Sequence, residues 1–235
     1  MALLFGGVAN AIFSDTGWEH KSMYDRLDYV ESQIQAIHPS FKIIRIKNEK
    51  HDSLQQYISD TKFFPSQIAR FCTRMFKIEP IDNYLRGQGD IELMIGLNAD
   101  ESDRAGNHGL VNNITYSYPL LDNGITRKVC IGLLTKANLL PDLPPYMMRG
   151  GCIGCFYKTK KEYIAMRLLN PVEFDMVESL EREIQDKRGN HYSVQAGRFK
   201  MSDIRIEADR AMFSAEEMYS TNNNHSSPCG VFCHR

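Results

Sequence analysis

The hydrophobic period changes twice within the first 46 residues, and that change limits the fold more than any other feature. The short apolar run Ala9 to Phe13 leads into Ser14-Asp15-Thr16-Gly17-Trp18-Glu19, which reads as a buried strand closing in a polar turn with glycine. From Lys21 to Ile37, the residues Met23, Leu27, Val30, Ile34 and Ile37 recur at helical spacing, and Pro39 ends the pattern. Phe41 to Ile46 is then rich in β-branched residues and reads as a second strand. Strand, helix and strand in that order predict a βαβ unit, and so a parallel sheet.

The pattern continues less regularly. Asp52 to Ser59 reads as a short helix, and Pro65 to Leu85 as another that Pro80 breaks or kinks. Asp90 to Leu97 reads as a strand followed by a polar turn, Ser117 to Leu121 as extended chain, and Thr126 as the N-cap of a helix reaching Leu134. Lys160 to Asp186 predicts one or two helices, the second starting at Asn170-Pro171. Beyond Lys187 the periodicity fades. The expected architecture is α/β, a parallel sheet with helices on both faces, followed by a cysteine-bearing helical segment.

Four cysteines carry the most specific chemical signal: Cys72, Cys130, and the pair Cys152 and Cys155. The pair is a C-x-x-C preceded by Gly151 and containing Gly154, glycines that leave the backbone room to wrap an ion. Four thiolates from three separate segments can close a tetrahedral zinc site or hold a four-iron cluster. The plain alternative is four unrelated buried thiols, since cysteine is among the most buried residue types. A C-x-x-C redox pair is a third reading. Cys229 and Cys233, followed by His234, suit a metal or a mobile tail thiol, against an ordinary exposed tail.

Composition narrows the setting. A formal net charge of -1 gives no long-range field for nucleic acid, and no window approaches the roughly 18 apolar residues of a membrane span. The N-terminus lacks a basic stretch followed by a long apolar one, so no secretory signal is expected and the cytoplasm is the default compartment. There, cysteines favour free thiols or metal over disulfides.

Three further groups can contact a ligand. Asp15, Thr16, Gly17 and Trp18 close a strand, and α/β proteins bind ligands at the carboxyl ends of parallel strands. Arg74 and Lys77 stand three apart, on one helix face, where two cations can grip a phosphate or sulfate or simply be solvated. Asp100, Glu101 and Arg104 follow a strand and can hold Mg²⁺ or a ribose, or form an ordinary loop surface.

Five segments in order resemble one family. They are Ala11 to Glu19, Cys72-Thr73-Arg74-Met75-Phe76-Lys77-Ile78-Glu79-Pro80, Ile95 to Arg104, Tyr118 to Cys130, and Gly151-Cys152-Ile153-Gly154-Cys155-Phe156-Tyr157. Together they resemble the phosphoadenosine-phosphosulfate-reductase-like branch of the PP-loop adenine nucleotide α-hydrolases, whose members occur in phage and prophage settings. The resemblance implies an adenine or ribose contact at Asp15 to Trp18 and phosphate or sulfate contacts at Arg74 and Lys77. It also implies a cluster or zinc on Cys72, Cys130, Cys152 and Cys155. The implied ligand is ATP or a phosphoadenosine-phosphosulfate-like nucleotide. The implied chemistry is adenylation with sulfur transfer, or sulfonucleotide reduction, with a nucleic-acid or sulfur-transfer partner in the former case.

One departure stands out. The family opens with a Ser-Gly-Gly phosphate loop about 20 to 30 residues ahead of the Asp-Thr-Gly-Trp segment, at a helix N-terminus. This chain has 14 residues ahead of Asp15, and Phe5-Gly6-Gly7-Val8 is only superficially similar. The expectation is a late start or truncation, and the alternative is a loop-less, catalytically inactive module that binds a nucleotide or a partner. The regions expected on this reading are residues 1–140 for the α/β nucleotide-binding domain, 141–186 for the C-x-x-C segment with its helices, and 187–235 for an irregular end.

Overall fold

The computed structural model describes residues 10–105, 113–140, 143–148, 151–195 and 197–210. The sequence cues at Phe5 to Val8 and at Cys229, Cys233 and His234 lie outside these residues. The chain divides into two compact units that interleave in sequence. Within the described residues, the first takes 10–13, 25–46, 81–105 and 113–140, and the second takes 14–24, 47–80 and everything from 143 onward.

In the first unit, β1 (Asn10–Asp15) pairs with β2 (Lys42–Lys47), and α1 (Lys21–Gln35) connects them. β3 (Ile91–Met94) and β4 (Ile114–Ser117) run parallel with Ile91 opposite Ile114 and Met94 opposite Ser117. The expected parallel pairing is therefore present in β3 and β4. Among the described residues, however, the strands make two two-stranded sheets rather than one broad one. β2 has the make-up of an edge strand. Central parallel strands are buried on both faces and read as apolar runs, whereas β2 exposes Lys42, Arg45 and Lys47. A 3₁₀ segment (Ala99–Arg104), kinked at Glu101, follows β3. Asn98 caps it by accepting from Asp100 N at 3.0 Å. The short α5 (Pro119–Asp122) and α6 (Arg127–Lys136) complete this unit, and the expected cap Thr126 accepts from Val129 N at 3.4 Å.

The second unit holds the larger core. Its elements are α2 (Leu54–Thr61), a helical run from Phe71, α7 (Lys160–Leu169), α8 (Pro171–Arg188) and α9 (Met201–Arg210). Ile58, Phe76, Tyr163, Met166, Phe174, Val177, Ile184, Met201 and Ile204 pack into one cluster around Trp18. Thr159 and Glu162 form a reciprocal capping box at the start of α7, and Asn170 with Pro171 opens α8. α9 falls in the stretch expected to be irregular. Its buried face is Met201, Ile204 and Ala208, a stripe narrow enough to leave little periodicity in the sequence.

The run from Phe71 changes winding at its centre. α3 (Phe71–Thr73) passes into a π turn (Arg74–Ile78) and then α4 (Glu79–Leu85). Glu79 N donates to Arg74 O, five residues back, which leaves Met75 O without its usual partner. Pro80 has no N–H, so Phe76 O is released as well. Both carbonyls are satisfied from elsewhere in the unit: Asn48 Nδ2 donates to Met75 O at 2.7 Å and Ser14 Oγ to Phe76 O at 2.7 Å. Pro80 thus diverts hydrogen bonds without ending the helical run. Among the described residues no helix is long and apolar enough to cross a membrane.

Candidate functional site

The turn after β1 is fixed by its own side chains. Asp15 is buried. Its Oδ1 accepts from Gly17 N at 2.8 Å and from the Tyr24 hydroxyl at 2.7 Å, while Oδ2 faces Lys47 Nζ at 3.3 Å. Burial, then the bond to Asp15, pushes the Tyr24 phenol above its ordinary range, so it remains a donor. Gly17 has φ of +68°, and a Cβ there would stand 2.8 Å from Ser53 Cβ, so glycine alone fits. Thr16 O accepts from Leu54 N at 2.8 Å, at the first turn of α2, whose N-cap is Ser53.

Two donors then converge on one buried carboxylate. Thr16 Oγ1 donates to Glu19 Oε1 at 2.9 Å, and the Cys152 thiol donates to the same oxygen at 3.3 Å. Thr16 Oγ1 and Cys152 Sγ are themselves 3.3 Å apart. Glu19 and Cys152 form an isolated antiparallel bridge, and Ile153 N donates to Trp18 O at 2.9 Å. Trp18 is 2% exposed and lies in the core, its Nε1 without a hydrogen-bond partner among the described residues. Gly154 packs beneath the indole.

Beside this cluster lies a second buried pair. His20 Nδ1 stands 2.5 Å from Glu173 Oε2, and among the described residues its Nε2 has no hydrogen-bond partner. Lys158, also buried, donates to Tyr146 O at 2.8 Å. Burial holds the His20 pKa below its ordinary value; the bond to Glu173 opposes this, the charge of Lys158 adds to it, and Glu19 opposes more weakly. The neutral ring therefore donates from Nδ1. A lowered folded pKa means that the unfolded chain takes up the proton first as pH falls. Stability from this group is full above about 6.5 and is lost as pH drops from there through the lower folded value. Urea titrations across that window should show the loss in the wild type and a flatter profile in His20→Gln; equal slopes would remove His20 from the account.

The sequence-predicted residues fall into two sets. Asp15, Thr16, Gly17, Trp18, Arg74, Lys77, Cys72, Cys152 and Cys155 all belong to the second unit. Ser14 joins the turn to the π segment through Phe76 O, and the charge of Lys77 acts on the Cys152 thiol. Arg74 is 80% exposed on its side chain and pairs with Glu79 at 2.8 Å. Asp100, Glu101, Arg104 and Cys130 belong to the first unit. There Asp100 Oδ2 accepts from Arg127 N at 2.8 Å, in the first turn of α6, and Glu101 Oε2 accepts from Asn98 Nδ2 at 2.8 Å. Two residues in the centre of the second-unit site, Glu19 and His20, received no role from the sequence. They follow the turn directly, and only their burial marks them out.

A metal centre needs thiolates. In the metal-free chain, burial pushes the Cys152 thiol well above the ordinary range, the Glu19 charge adds to this, and Lys77 opposes it. Cys72 packs against the core cluster, and the Cys155 carbonyl accepts from the Tyr163 hydroxyl at 3.0 Å. Among the described residues no group of three or more His, Cys, Asp or Glu side chains is placed to hold a metal ion. With the Glu19 carboxylate and the Thr16 hydroxyl within hydrogen-bond reach of Sγ, the surroundings of Cys152 fit a neutral thiol better than a zinc or cluster ligand.

An open groove of about 610 Å³ runs beside Ser53, between α2 and α8. Its charged lining residues are Asp175 and Glu183, tied to Arg205 and Lys62, so it does not suit a phosphate.

Residues 1–118 match the family model described as the phosphoadenosine phosphosulfate reductase domain. The match spans the turn at Asp15, Arg74, Lys77 and Asp100 to Arg104, and stops short of Cys130, Cys152 and Cys155. No curated protein and no solved structure matches the chain.

Proposed function

This chain belongs to the phosphoadenosine phosphosulfate reductase domain family, and we propose that it binds an adenine nucleotide at the turn closing β1. The observation that carries this reading is the convergence, within one unit, of the Asp15–Trp18 turn, the π segment bearing Lys77, and the chain at Cys152. Lys47 and Lys77 supply positive charge beside the turn, the sign that a phosphate or sulfate requires. Asp15 holds the turn in shape, since its oxygens are already engaged by Gly17, Tyr24 and Lys47.

Between the two chemistries of the family, adenylation is the better supported. Sulfonucleotide reduction needs a thiolate that attacks sulfur, a part that does not suit Cys152, whose thiol burial pushes well above the ordinary range. In adenylation the second substrate attacks the α-phosphorus of ATP, the bond to the bridging oxygen breaks, and pyrophosphate leaves. The contribution of this chain is electrostatic: Lys77 and Lys47 offset the charge that grows on the phosphate oxygens.

Titration calorimetry with ATP and with adenosine 3′,5′-bisphosphate tests the reading. Binding is expected, and Lys77→Ala should weaken it about tenfold, equivalent to about 1.4 kcal/mol. Absence of binding to either nucleotide would overturn the reading. Binding without pyrophosphate release in the presence of nucleophilic acceptors would reduce the protein to a nucleotide-binding module.

A further inference from the structure

We propose that Cys152 is a positioning residue for the turn at Asp15–Trp18, its S–H donating to Glu19 so as to clasp two distant segments, and that it is not a metal ligand. That the clasp serves a nucleotide rests on the function proposed above; the clasp itself does not.

Three contacts build it. Thr16 Oγ1 and Cys152 Sγ both donate to Glu19 Oε1, at 2.9 and 3.3 Å. Ile153 N donates to Trp18 O at 2.9 Å, so the backbones are joined as well as the side chains. Gly154 then lies flat beneath the Trp18 ring. Glu19 is buried, and a buried carboxylate must be matched by donors. The thiol is one of the two that Oε1 receives. Without a cation to offset it, a thiolate at the same place would set a second negative charge 3.3 Å from the first in a dry site, which is strongly unfavourable. The Cys152-Ile153-Gly154 part of the motif thus has a role that requires no ion. Cys152 supplies a hydrogen, Ile153 the backbone bond, and Gly154 the space for the indole.

Infrared spectroscopy reads the thiol directly, because a coordinated or ionised sulfur has no S–H stretch. The wild type should show an S–H band that moves to higher frequency in Glu19→Gln, where the acceptor is weaker, and that is missing in Cys152→Ser. Iron, zinc and sulfide per chain, measured on protein purified without oxygen, should be the same in wild type and Cys152→Ser. ATP affinity should stay within about twofold in Cys152→Ser, which keeps a donor, and fall about tenfold in Cys152→Ala, which does not. A metal ligand would behave otherwise, since serine and alanine would both release the ion. Lack of any S–H band sensitive to Glu19→Gln, or metal lost from Cys152→Ser, overturns the proposal. If Cys152→Ser fails to fold, the band shift in Glu19→Gln still decides. If the wild type does not bind ATP, the nucleotide reading fails while the band and the metal content continue to judge the clasp.

Discussion

Gly154→Ala is expected to destabilise the second unit by about 1–3 kcal/mol, the range for overfilling a packed core. An ideal Cβ at this position falls 2.1 Å from Trp18 Cη2, 2.7 Å from Cζ2 and 2.8 Å from Cζ3. The indole is rigid and 2% exposed, so no flexible end can swing aside. Either the ring or the chain at Cys152 must move, and both are tied to Glu19 and Thr16. The thermal midpoint should fall by several degrees, on the order of 2–4 °C per kcal/mol. The emission of Trp18, the chain's single tryptophan, should shift as the ring meets solvent. Gly132→Ala is the control: nothing lies within 4 Å of its Cβ position, it sits inside α6, and the change should be neutral or stabilising. Equal midpoints for the two variants would remove the indole contact as a determinant of stability.

Glu181→Ala is expected to cost as much or more, about 2–5 kcal/mol, through hydrogen bonds rather than volume. The buried Glu181 sits inside α8, where Oε2 accepts from Val194 N at 2.9 Å and Oε1 from Met201 N at 2.7 Å. One carboxylate thereby fastens the loop after α8 and the first turn of α9. Burial pushes its pKa up and the two backbone donors resist. Removing it strands two buried N–H groups, each worth about 1–3 kcal/mol. Hydrogen exchange gives the specific readout: the Val194 and Met201 amides should exchange faster in the variant even where the global midpoint has moved little. Unchanged protection at both would mean that water or another acceptor substitutes.

Local signals in the sequence translated well into structure. Thr126 and the Asn170-Pro171 pair sit at the helix starts their chemistry requires, because a cap acts over three residues and is visible as a short pattern. The strand at Ala9 to Phe13 and the helix from Lys21 also lie within two residues of their expected positions at the described ends. What could not be read was long-range and polar. Glu19 meets Cys152 across 133 residues, and His20 meets Glu173 across 153. No periodicity encodes such pairs, and a carboxylate satisfied by a thiol looks in sequence like any surface acid. The C-x-x-C motif was legible as a feature, but Glu19, the carboxylate that its first cysteine reaches, lies outside the motif.

The interleaving of the two units carries a consequence for how the protein is made. The core around Trp18 takes residues from the first 24, from 47–80 and from beyond 143, and Thr16 reaches Cys152 over 136 positions. A chain emerging from the ribosome therefore cannot complete this core when its N-terminal segments appear. Trp18 and Glu19 must wait, uncovered, until α7, α8 and α9 have been synthesised. High sequence separation slows such assembly and lengthens the exposure of apolar surface. A nascent chain stalled before residue 143 should be sticky and protease-sensitive, and release of the complete chain should be the event that hides its tryptophan.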